Sequence, residues 1–392
     1  MKKIAGAFCI SLLLLFCLMF QNMTPVRSAS ETEYYMKSKV SYLNRGDNIW
    51  NFTEREDDRT LGLFMNNSWQ TVYLVNSTLS IETKTNDTDG NQIAVLQFPE
   101  STLNSGESID FSVTYRVVSN PRTLSTINES PSEDLDEIPS PLKAEYSGVE
   151  GPWLVDDTAL RNLAYNIIGT ETNVLTIIKD LIAWISENIS YKTHETPLYP
   201  NETLAWQEGD CDDQAILLIT LCRIIGIPAF LQIGAIYAPN STPTNESYWE
   251  DHVAVIQKQI AWHGWAMVYI PPWGWLPVDL TYVFGGLSNP LNAITNAAVT
   301  SQDTIQFMNI SKFDYVESSR KTRSFLIDND LYVEMEDEII KTKGQWSPFG
   351  DIAERLFPVI LVTAVTLLMI GVYFMVRRSK KEQEIPIPSL KE

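Results

Sequence analysis

The segment from Cys211 to about Ile225 most constrains the fold, because it predicts one long, strongly apolar helix with a thiol in its first turn. The segment opens with Gly209-Asp210-Cys211-Asp212-Asp213-Gln214-Ala215, and it stops at Gly226, shortly before Pro228. Acidic residues favour a helix start, and glycine followed by proline favours a helix end. Cys211 is therefore predicted at a helix N-terminus.

Two further helices are predicted before this segment and four short strands after it. Asp156 or Asp157 is suited to cap the first helix, and Asn173 is suited to cap the second. Helices followed by an antiparallel sheet are typical of an α+β domain, which we place at 153–300. The four strands are predicted at residues 229–236, 252–256, 264–270 and 275–279.

The region 30–118 is predicted as a small N-terminal β-sandwich. Its apolar runs are of strand length, are rich in β-branched and aromatic residues, and are separated by turn signals. Residues 119–152 contain five prolines and an acidic patch, which predict a linker or an extended strap. Residues 301–355 are predicted as a polar juxtamembrane connector that contains one strand-like stretch.

Both ends of the chain indicate a membrane protein. Lys2 and Lys3 precede an apolar run, which predicts a signal peptide at 1–29, with an uncleaved membrane anchor as the alternative. Residues 356–376 predict one transmembrane helix, because an uncharged run of this length spans about 30 Å. Basic residues open the tail at 377–392, so we expect the tail in the cytoplasm and the body outside under either interpretation of the N-terminus.

The composition of the presumed exterior predicts a glycosylated cell-surface protein and excludes one class of partner. The formal net charge of −20 argues against a nucleic-acid-binding protein, which needs a basic face. The sequence does not indicate an oligomeric state. A polar exterior without glycans is the alternative to a glycoprotein. Ten sequons lie in this part: Asn51, Asn66, Asn76, Asn86, Asn128, Asn188, Asn201, Asn240, Asn245 and Asn309.

Only two cysteines, Cys211 and Cys222, lie between the hydrophobic ends of the chain. On one helix they would stand about 16 Å apart, which is too far for a disulfide. Cys222 is predicted to be a core residue. A helix N-terminus lowers a thiol pKa, but Asp212 and Asp213 oppose the thiolate electrostatically. Cys211 is therefore expected to need a histidine partner if it is a nucleophile.

His263 is the histidine that the chain order favours as this partner. If its strand pairs antiparallel with the strand that ends at Asp279, the imidazole and the carboxylate reach the same end of the sheet. The carboxylate would then orient the imidazole, and the imidazole would face Cys211. His252 remains the alternative base. A purely structural role is the alternative, because each of these residues taken singly would more often be structural.

No metal site and no cofactor is predicted. Three histidines, two cysteines and many acids could assemble a metal site, but none of them shows the close pairing of a zinc motif. A Ser-His-Asp hydrolase is a weak alternative, because no Gly-x-Ser-x-Gly elbow occurs.

These residues resemble the transglutaminase-like superfamily, within the papain-like cysteine enzymes, over about residues 160–285. Gly209-Asp210-Cys211-Asp212-Asp213-Gln214-Ala215 and the following Arg223-Ile224-Ile225-Gly226-Ile227-Pro228-Ala229 are similar to the Cys box. His263-Gly264-Trp265-Ala266-Met267-Val268-Tyr269 is similar to the His box, and Gly274-Trp275-Leu276-Pro277-Val278-Asp279-Leu280-Thr281 to the Asp box. The preceding β-sandwich and the membrane anchor resemble archaeal surface members of the family.

The resemblance implies a nucleophile at Cys211, a general base at His263 and an orienting acid at Asp279. The sequence departs from the family at Gly264, where Ala is frequent, and at Met267, where Glu is frequent. Neither departure touches the three candidate catalytic residues. The family includes transamidating enzymes, amidases, proteases and inactive members, so the fold does not settle the reaction.

The expected activity is thiol acyl chemistry on an amide or peptide bond of a protein or peptide substrate outside the cell. Hydrolysis is favoured slightly over transamidation, because water is always available and no amine-binding feature is visible. The oxyanion donor is not evident, and Trp206 and Gln207 are candidates only by their place before the Cys box. The alternative function is a catalytically silent cell-surface binding or scaffold glycoprotein.

Overall fold

The computed structural model describes residues 31–343 apart from 121, 123, 125, 129–131, 284 and 302. The predicted signal peptide, transmembrane helix and cytoplasmic tail (1–29, 356–376 and 377–392) lie outside the described residues. Within the described part, no helix is both long enough and apolar enough to cross a membrane.

The described chain is a mixed α+β structure, as the sequence predicts. Short 3₁₀ turns occur at Glu56–Arg59 and Leu135–Glu137. The helices are α1 Ser140–Tyr146, α2 Thr158–Ile168, α3 Val174–Asn188, α4 Pro200–Trp206, α5 Cys211–Ile225, α6 Asn292–Thr295, α7 Ala298–Ser301 and α8 Tyr315–Asp328.

The strands form two larger sheets and three smaller ones. Before the helices they are β1 Thr32–Asn44, β2 Trp50–Asn51, β3 Thr60–Gly62, β4 Gln70–Ser77, β5 Ser80–Asn86, β6 Gln92–Gln97, β7 Thr102–Leu103 and β8 Ser108–Ser119. Within and after the helices they are β9 Ser190–Tyr191, β10 Glu208–Gly209, β11 Ala229–Tyr237, β12 Thr244–Tyr248, β13 Val253–Lys258, β14 Ile260–Ile270, β15 Gly274–Val278, β16 Thr304–Ile310 and β17 Leu331–Lys343.

The predicted starts and ends of the long helices are seen in the structure. Asp157 rather than Asp156 caps α2, because its side chain accepts the backbone N–H groups of the first turn. Asn173 caps α3 in the same way. Helix α5 begins at Cys211 and ends at Gly226, whose φ of 90° is a left-handed conformation that glycine adopts without strain.

Helix α5 is the centre of the main core. Ile216, Leu217, Leu218, Leu221 and Cys222 are fully buried and join one cluster with α2, α3 and the four-stranded sheet. Burying a large aliphatic side chain contributes about 1.5–3 kcal/mol. The helix therefore has little freedom to shift, and its first turn is held in a fixed position.

The sheet behind this helix has the strand order β15-β14-β11-β16 and is antiparallel throughout. Strand β14 pairs with β11 on one side and with β15 on the other, with Ala266 opposite Val278. The antiparallel pairing that was predicted for the strands of His263 and Asp279 is therefore present.

The six-stranded sheet, in the order β12-β13-β17-β1-β8-β4, joins parts of the chain that the sequence interpretation placed in separate domains. Strands β1, β4 and β8 come from the region 30–118, β12 and β13 from the region 153–300, and β17 from the region 301–355. The described residues from 31 to 342 accordingly form one compact unit. The division predicted from the sequence missed this arrangement because strand pairing between distant segments leaves no local signal.

The region 301–355, predicted as a connector, contributes β16, α8 and β17 to the described structure. Strand β16 forms one edge of the four-stranded sheet, and β17 lies inside the six-stranded sheet. Helix α8 is polar in sequence, and Val316 and Leu326 are its buried side chains. The described part of this region therefore belongs to both larger sheets. It also brings the start of α8 close to Cys211.

Candidate active site

Cys211 is the first residue of α5, at the end where unpaired backbone N–H groups are concentrated. A two-stranded parallel ribbon leads into this turn, with Tyr191 of β9 opposite Gly209 of β10. The ribbon and the buried helix fix the thiol from both sides. The chain around Cys211 is thus built to hold one side chain at a helix N-terminus.

Three aspartates, Asp210, Asp212 and Asp213, lie around this thiol, and the pKa values of two of them are raised. Asp213 is fully buried and accepts the N–H of Leu198 at 2.7 Å and that of Asp210 at 3.1 Å. Burial, followed by the charge of Asp212, raises the pKa of Asp213 to about 7 and that of Asp210 to about 10. At neutral pH the Asp210 carboxyl therefore keeps its proton.

The Cys211 thiol is neutral in the resting site. Burial raises its pKa well above the usual value, and the charges of Asp212 and Asp210 add to that effect. The backbone N–H groups of Gly264 and Asp212 act in the opposite direction, because they donate to the sulfur. The thiol itself donates weakly to Asp212 Oδ1, with Sγ at 3.9 Å. A base is consequently needed to form the thiolate, as the sequence predicted.

His263, within β14, and Asp279, directly after β15, form a buried pair. His263 Nε2 lies 2.9 Å from Asp279 Oδ2, and both side chains are almost inaccessible to solvent. The other carboxylate oxygen, Oδ1, accepts the backbone N–H groups of Thr281 and Tyr282, each at 3.1 Å. Because Nε2 faces a carboxylate that accepts hydrogen bonds, we assign the ring hydrogen to Nε2.

Cys211 and His263 line one cavity of about 280 Å³. The pairing of His263 with Asp279 leaves Nδ1 as the nitrogen that can accept the thiol's proton. The other side chains of the cavity wall are aromatic, aliphatic or hydroxyl-bearing, and none is charged: Tyr191, Ile236, Ala261, Trp262, Thr281 and Tyr282. Cys211 and His263 therefore share this cavity, and Asp279, which does not line it, contacts the imidazole.

Gly264, one of the two departures from the family pattern, lies where β14 passes the first turn of α5. A Cβ atom at this position would stand 3.1 Å from the Asp212 Cβ, which is closer than ordinary van der Waals contact. The absence of a side chain lets the Gly264 N–H approach the Cys211 sulfur. The close approach of β14 to Asp212 therefore depends on glycine at position 264.

The remaining histidines and the second cysteine lie elsewhere. His252, the alternative base, is buried, places Nδ1 2.8 Å from the Leu331 carbonyl oxygen, and stacks on Tyr332. His194 lies 5.5 Å from the Trp206 ring and does not line the cavity. Cys222 is fully buried in α5, and burial raises its thiol pKa. His252 is therefore engaged in the six-stranded sheet and not with Cys211.

Ligand atoms of Asp210, Cys211 and Asp212 lie within 4.8 Å of one another, which is the separation that a metal site would need. Hydrogen bonds within the protein already account for the position of Asp212, which accepts from Tyr315 at 2.6 Å and from the thiol. Two of the three residues of this cluster are therefore already hydrogen-bonded within the protein.

Sequence reasoning missed two tyrosines at this site. Tyr191 lies in the cavity wall, where it is largely exposed, and partial desolvation followed by the neighbouring Cys211 raises its phenol pKa to about 12. Tyr315 reaches the site from α8. The two residues proposed as oxyanion donors, Trp206 and Gln207, do not line the cavity. Tyr191 carries a weak signal in the sequence, because it follows the apolar helix that precedes the Cys box.

Comparisons with known proteins identify the fold of this region. Residues 161–280 match the family model described as the transglutaminase-like superfamily. A candidate cysteine protease from Cytophaga hutchinsonii is similar in structure, with a TM-score of 0.50 and 14% sequence identity over 81% of this chain and 93% of that chain. At this identity the similarity establishes the fold alone. The match confirms the resemblance that the three sequence boxes indicated.

Two other solved structures are more distant. The periplasmic domain of TgpA from Pseudomonas aeruginosa aligns with a TM-score of 0.30 and 15% identity over 68% of this chain and 92% of that chain. LapG from Legionella pneumophila aligns with a TM-score of 0.27 and 16% identity over 51% of this chain and 99% of that chain. Neither is close enough to bear on function. No curated protein matches this chain.

Proposed function

We propose, starting from the transglutaminase-like domain at residues 161–280, that the protein is a cysteine-dependent acyl-transfer enzyme acting on amide or peptide bonds. The substrate class we propose is a protein or peptide, with hydrolysis favoured slightly over transamidation. Cys211 acts as nucleophile, His263 as general base and then general acid, and Asp279 orients the imidazole.

The single observation that carries this proposal is the buried His263–Asp279 pair beside the cavity that also holds the Cys211 thiol. A buried carboxylate is costly unless it is satisfied, and Asp279 is satisfied by the imidazole and two backbone N–H groups. This network fixes the ring and its tautomer. Such orientation of a base next to a nucleophile is what thiol catalysis requires.

The first chemical step begins from the neutral thiol. His263 Nδ1 accepts the thiol proton as Cys211 Sγ forms a bond to the substrate carbonyl carbon. The imidazolium that results is stabilised by Asp279 across the 2.9 Å contact. The carbonyl π electrons move to the oxygen, which becomes an oxyanion.

Tyr191 is one of three hydroxyl-bearing side chains of the cavity wall, with Thr281 and Tyr282, and it is the one we propose as hydrogen-bond donor to that oxyanion. Its phenol pKa is raised to about 12, so the hydroxyl keeps its proton at neutral pH. Its side chain shares the cavity with Cys211. A donor that is aimed at developing negative charge lowers the barrier more than one that is aimed at the ground state.

The second step breaks the carbon–nitrogen bond. His263 gives its proton to the leaving amine, and Cys211 keeps the acyl group as a thioester. Water, deprotonated by His263, then attacks the thioester and releases a carboxylic acid and the free thiol. A primary amine in place of water would give a new amide and hence a crosslink.

The uncharged cavity wall supports an uncharged substrate group near the scissile bond. Among the described residues that line the cavity, no carboxylate is present to concentrate an amine, and water needs no such feature. This is the basis on which hydrolysis is favoured slightly. The two outcomes differ in products, since hydrolysis releases an acid and transamidation incorporates the added amine.

The experiment uses the full-length protein with a panel of peptide amides and glutamine peptides, with and without a labelled primary amine. We expect release of free amine in the absence of the label, and loss of that activity in Cys211→Ala. Cys222→Ala is the matched control, because it removes the other described thiol of the same helix. Unchanged turnover in Cys211→Ala would refute the mechanism.

A catalytically silent cell-surface scaffold is the second candidate function, and one observation favours it. Burial, followed by the charges of Asp212 and Asp210, holds the thiol pKa of Cys211 well above its usual value, as an unused cysteine would tolerate. The satisfied His263–Asp279 pair argues against it, because a scaffold has no need of an oriented base. Absence of any acylation of Cys211 by an activated ester would favour the scaffold.

The location that we propose follows from the ends of the chain. A signal peptide at 1–29 and one transmembrane helix at 356–376 would place the enzyme outside the cell on a membrane anchor, with residues 377–392 in the cytoplasm. Protease treatment of intact cells is expected to remove the body and to spare a short C-terminal fragment. Full protection of the body would contradict this topology.

A further inference from the structure

Tyr315, the first residue of α8, touches the acid that flanks the nucleophile. Its hydroxyl donates to Asp212 Oδ2 at 2.6 Å, while Asp212 Oδ1 lies 3.9 Å from Cys211 Sγ. One carboxylate oxygen is therefore held by a short, strong hydrogen bond and the other by a long, weak one. The phenol and the thiol are two donors to this carboxylate, and the Asp210 carboxyl also hydrogen-bonds with it.

The start of α8 is anchored so that this phenol has a fixed position. Just before it, the N–H groups of Lys312 and Phe313 donate to the Asp89 carboxylate. Just after the first turn, Arg320 pairs with Glu202 of α4. These contacts fix the backbone on both sides of Tyr315, so the orientation of its hydroxyl is set by the fold.

We propose that Tyr315 is a positioning residue for the nucleophile: its hydroxyl holds the Asp212 carboxylate away from Cys211, so that the thiol can pass its proton to His263. Without the phenol, Asp212 turns toward the sulfur and becomes the stronger acceptor for the thiol. A proton held between sulfur and carboxylate is then harder for the imidazole to remove.

The charges around Cys211 decide the direction of the expected effect. Burial raises the Tyr315 pKa well above its usual value, so the phenol stays a donor over the accessible pH range. The Asp212 charge already opposes the thiolate, and a closer carboxylate opposes it more. The titratable groups that face Cys211 are Asp210, Asp212 and Asp213 at the start of α5, Tyr191 on β9, His263 on β14 with Asp279 behind it, and Tyr315 on α8.

The test is the pH dependence of Cys211 alkylation in the full-length protein. Iodoacetamide is neutral and needs no binding site, and mass spectrometry of the peptide that contains Cys211 separates its labelling from that of Cys222. Tyr315→Phe is expected to move the midpoint upward by about one pH unit, which is about tenfold slower labelling at neutral pH. An unchanged or lower midpoint would overturn the proposal.

Tyr199→Phe is the matched control. Tyr199 also donates its hydroxyl to an aspartate at the start of α8, Asp314, at 3.0 Å, but it does not line the cavity that holds Cys211. Its alkylation midpoint is expected to equal that of the wild type. A shift as large as that of Tyr315→Phe would mean that looser packing of α8 alone explains the effect, and the proposal would fail.

Asp212→Asn keeps the proposal testable even if Tyr315→Phe folds poorly. Removing the carboxylate is expected to lower the midpoint, and Tyr315→Phe added to Asp212→Asn is expected to shift it no further. A further upward shift in the double variant would show that Tyr315 does not act through Asp212. An unchanged midpoint of Cys211 alkylation in Asp212→Asn would also contradict the proposal.

This inference rests on the proposed function only in taking Cys211 as the nucleophile, and the two fail in different experiments. Alkylation requires no substrate. Turnover that survives Cys211→Ala would remove the proposed mechanism and leave the alkylation profiles as they are. Wild-type alkylation in Tyr315→Phe would remove the role of Tyr315 and leave the mechanism intact.

Discussion

The two described cysteines sit in the same helix, α5, in opposite surroundings. Cys211 lies in the first turn, beside a cavity, a paired imidazole and three carboxyl groups. Cys222 lies in the last turn, fully buried among aliphatic side chains. The comparison shows that polar groups around the thiol distinguish Cys211 as the candidate nucleophile. Burial among aliphatic side chains, as at Cys222, indicates a core residue.

The largest expected effect separates the two cysteines by activity. Cys211→Ala is expected to lower amide hydrolysis by at least about 10³-fold, because no other group can form the thioester. Cys222→Ala is expected to change activity by about twofold or less and to cost about 1 kcal/mol of unfolding free energy through the small cavity it leaves. Steady-state rates and thermal melts of both variants check this, and equal activity losses would erase the contrast.

The next effect concerns the orientation of the imidazole. Asp279→Asn keeps the size of the side chain but removes the charge that stabilises the imidazolium, so we expect a loss of about 10³–10⁴-fold in kcat. His252→Ala is the control, since His252 is engaged with the Leu331 carbonyl oxygen in the other sheet. Activity that survives in Asp279→Asn but disappears in a folded His252→Ala would reverse the assignment of the base.

A smaller effect is expected at the oxyanion position. Tyr191→Phe removes one hydrogen-bond donor from the cavity wall and should lower kcat by about 10²-fold with little change in KM. Tyr282→Phe is the comparison, because Tyr282 lines the same cavity on the side of His263. Equal losses in the two variants would indicate a general effect on the cavity and not a specific donor.

The charge cluster at the start of α5 should appear in stability rather than in rate. The Asp210 pKa is raised to about 10, so between about pH 4 and pH 10 the folded protein holds a proton that the unfolded chain releases. Stability conferred by this group therefore falls as pH rises through that window. Asp210→Asn is expected to flatten the fall and to raise Tm at neutral pH. Melting curves at several pH values with an unaltered slope in the variant would contradict the raised pKa.

Much of the site could be predicted from the sequence because its signals are local. Acidic residues before an apolar run and a glycine after it marked both ends of α5. The short step from His263 to Asp279 fits a strand, a turn and a strand, and the structure brings the two side chains into contact. Local spacing was therefore enough to predict the contact between His263 and Asp279.

The rest could not be predicted because it depends on contacts between distant segments. Strand β17 lies next to β1, about 300 residues away in the chain, and no local pattern reports that pairing. The polar composition of α8 concealed that its first residue, Tyr315, touches Asp212. For the same reason the region 301–355 was taken for a connector, although its described part supplies strands to both larger sheets.

The most direct measurement of the central role of Cys211 is acylation by p-nitrophenyl acetate, a small acyl donor that needs no specific binding. After acid quenching, mass spectrometry locates the acetyl group. We predict a thioester on Cys211 in the wild type and in Cys222→Ala, much slower formation in His263→Ala, and none in Cys211→Ala. Acetylation of Cys211 that proceeds equally fast without His263, or no acetylation of Cys211 at all, would contradict the account.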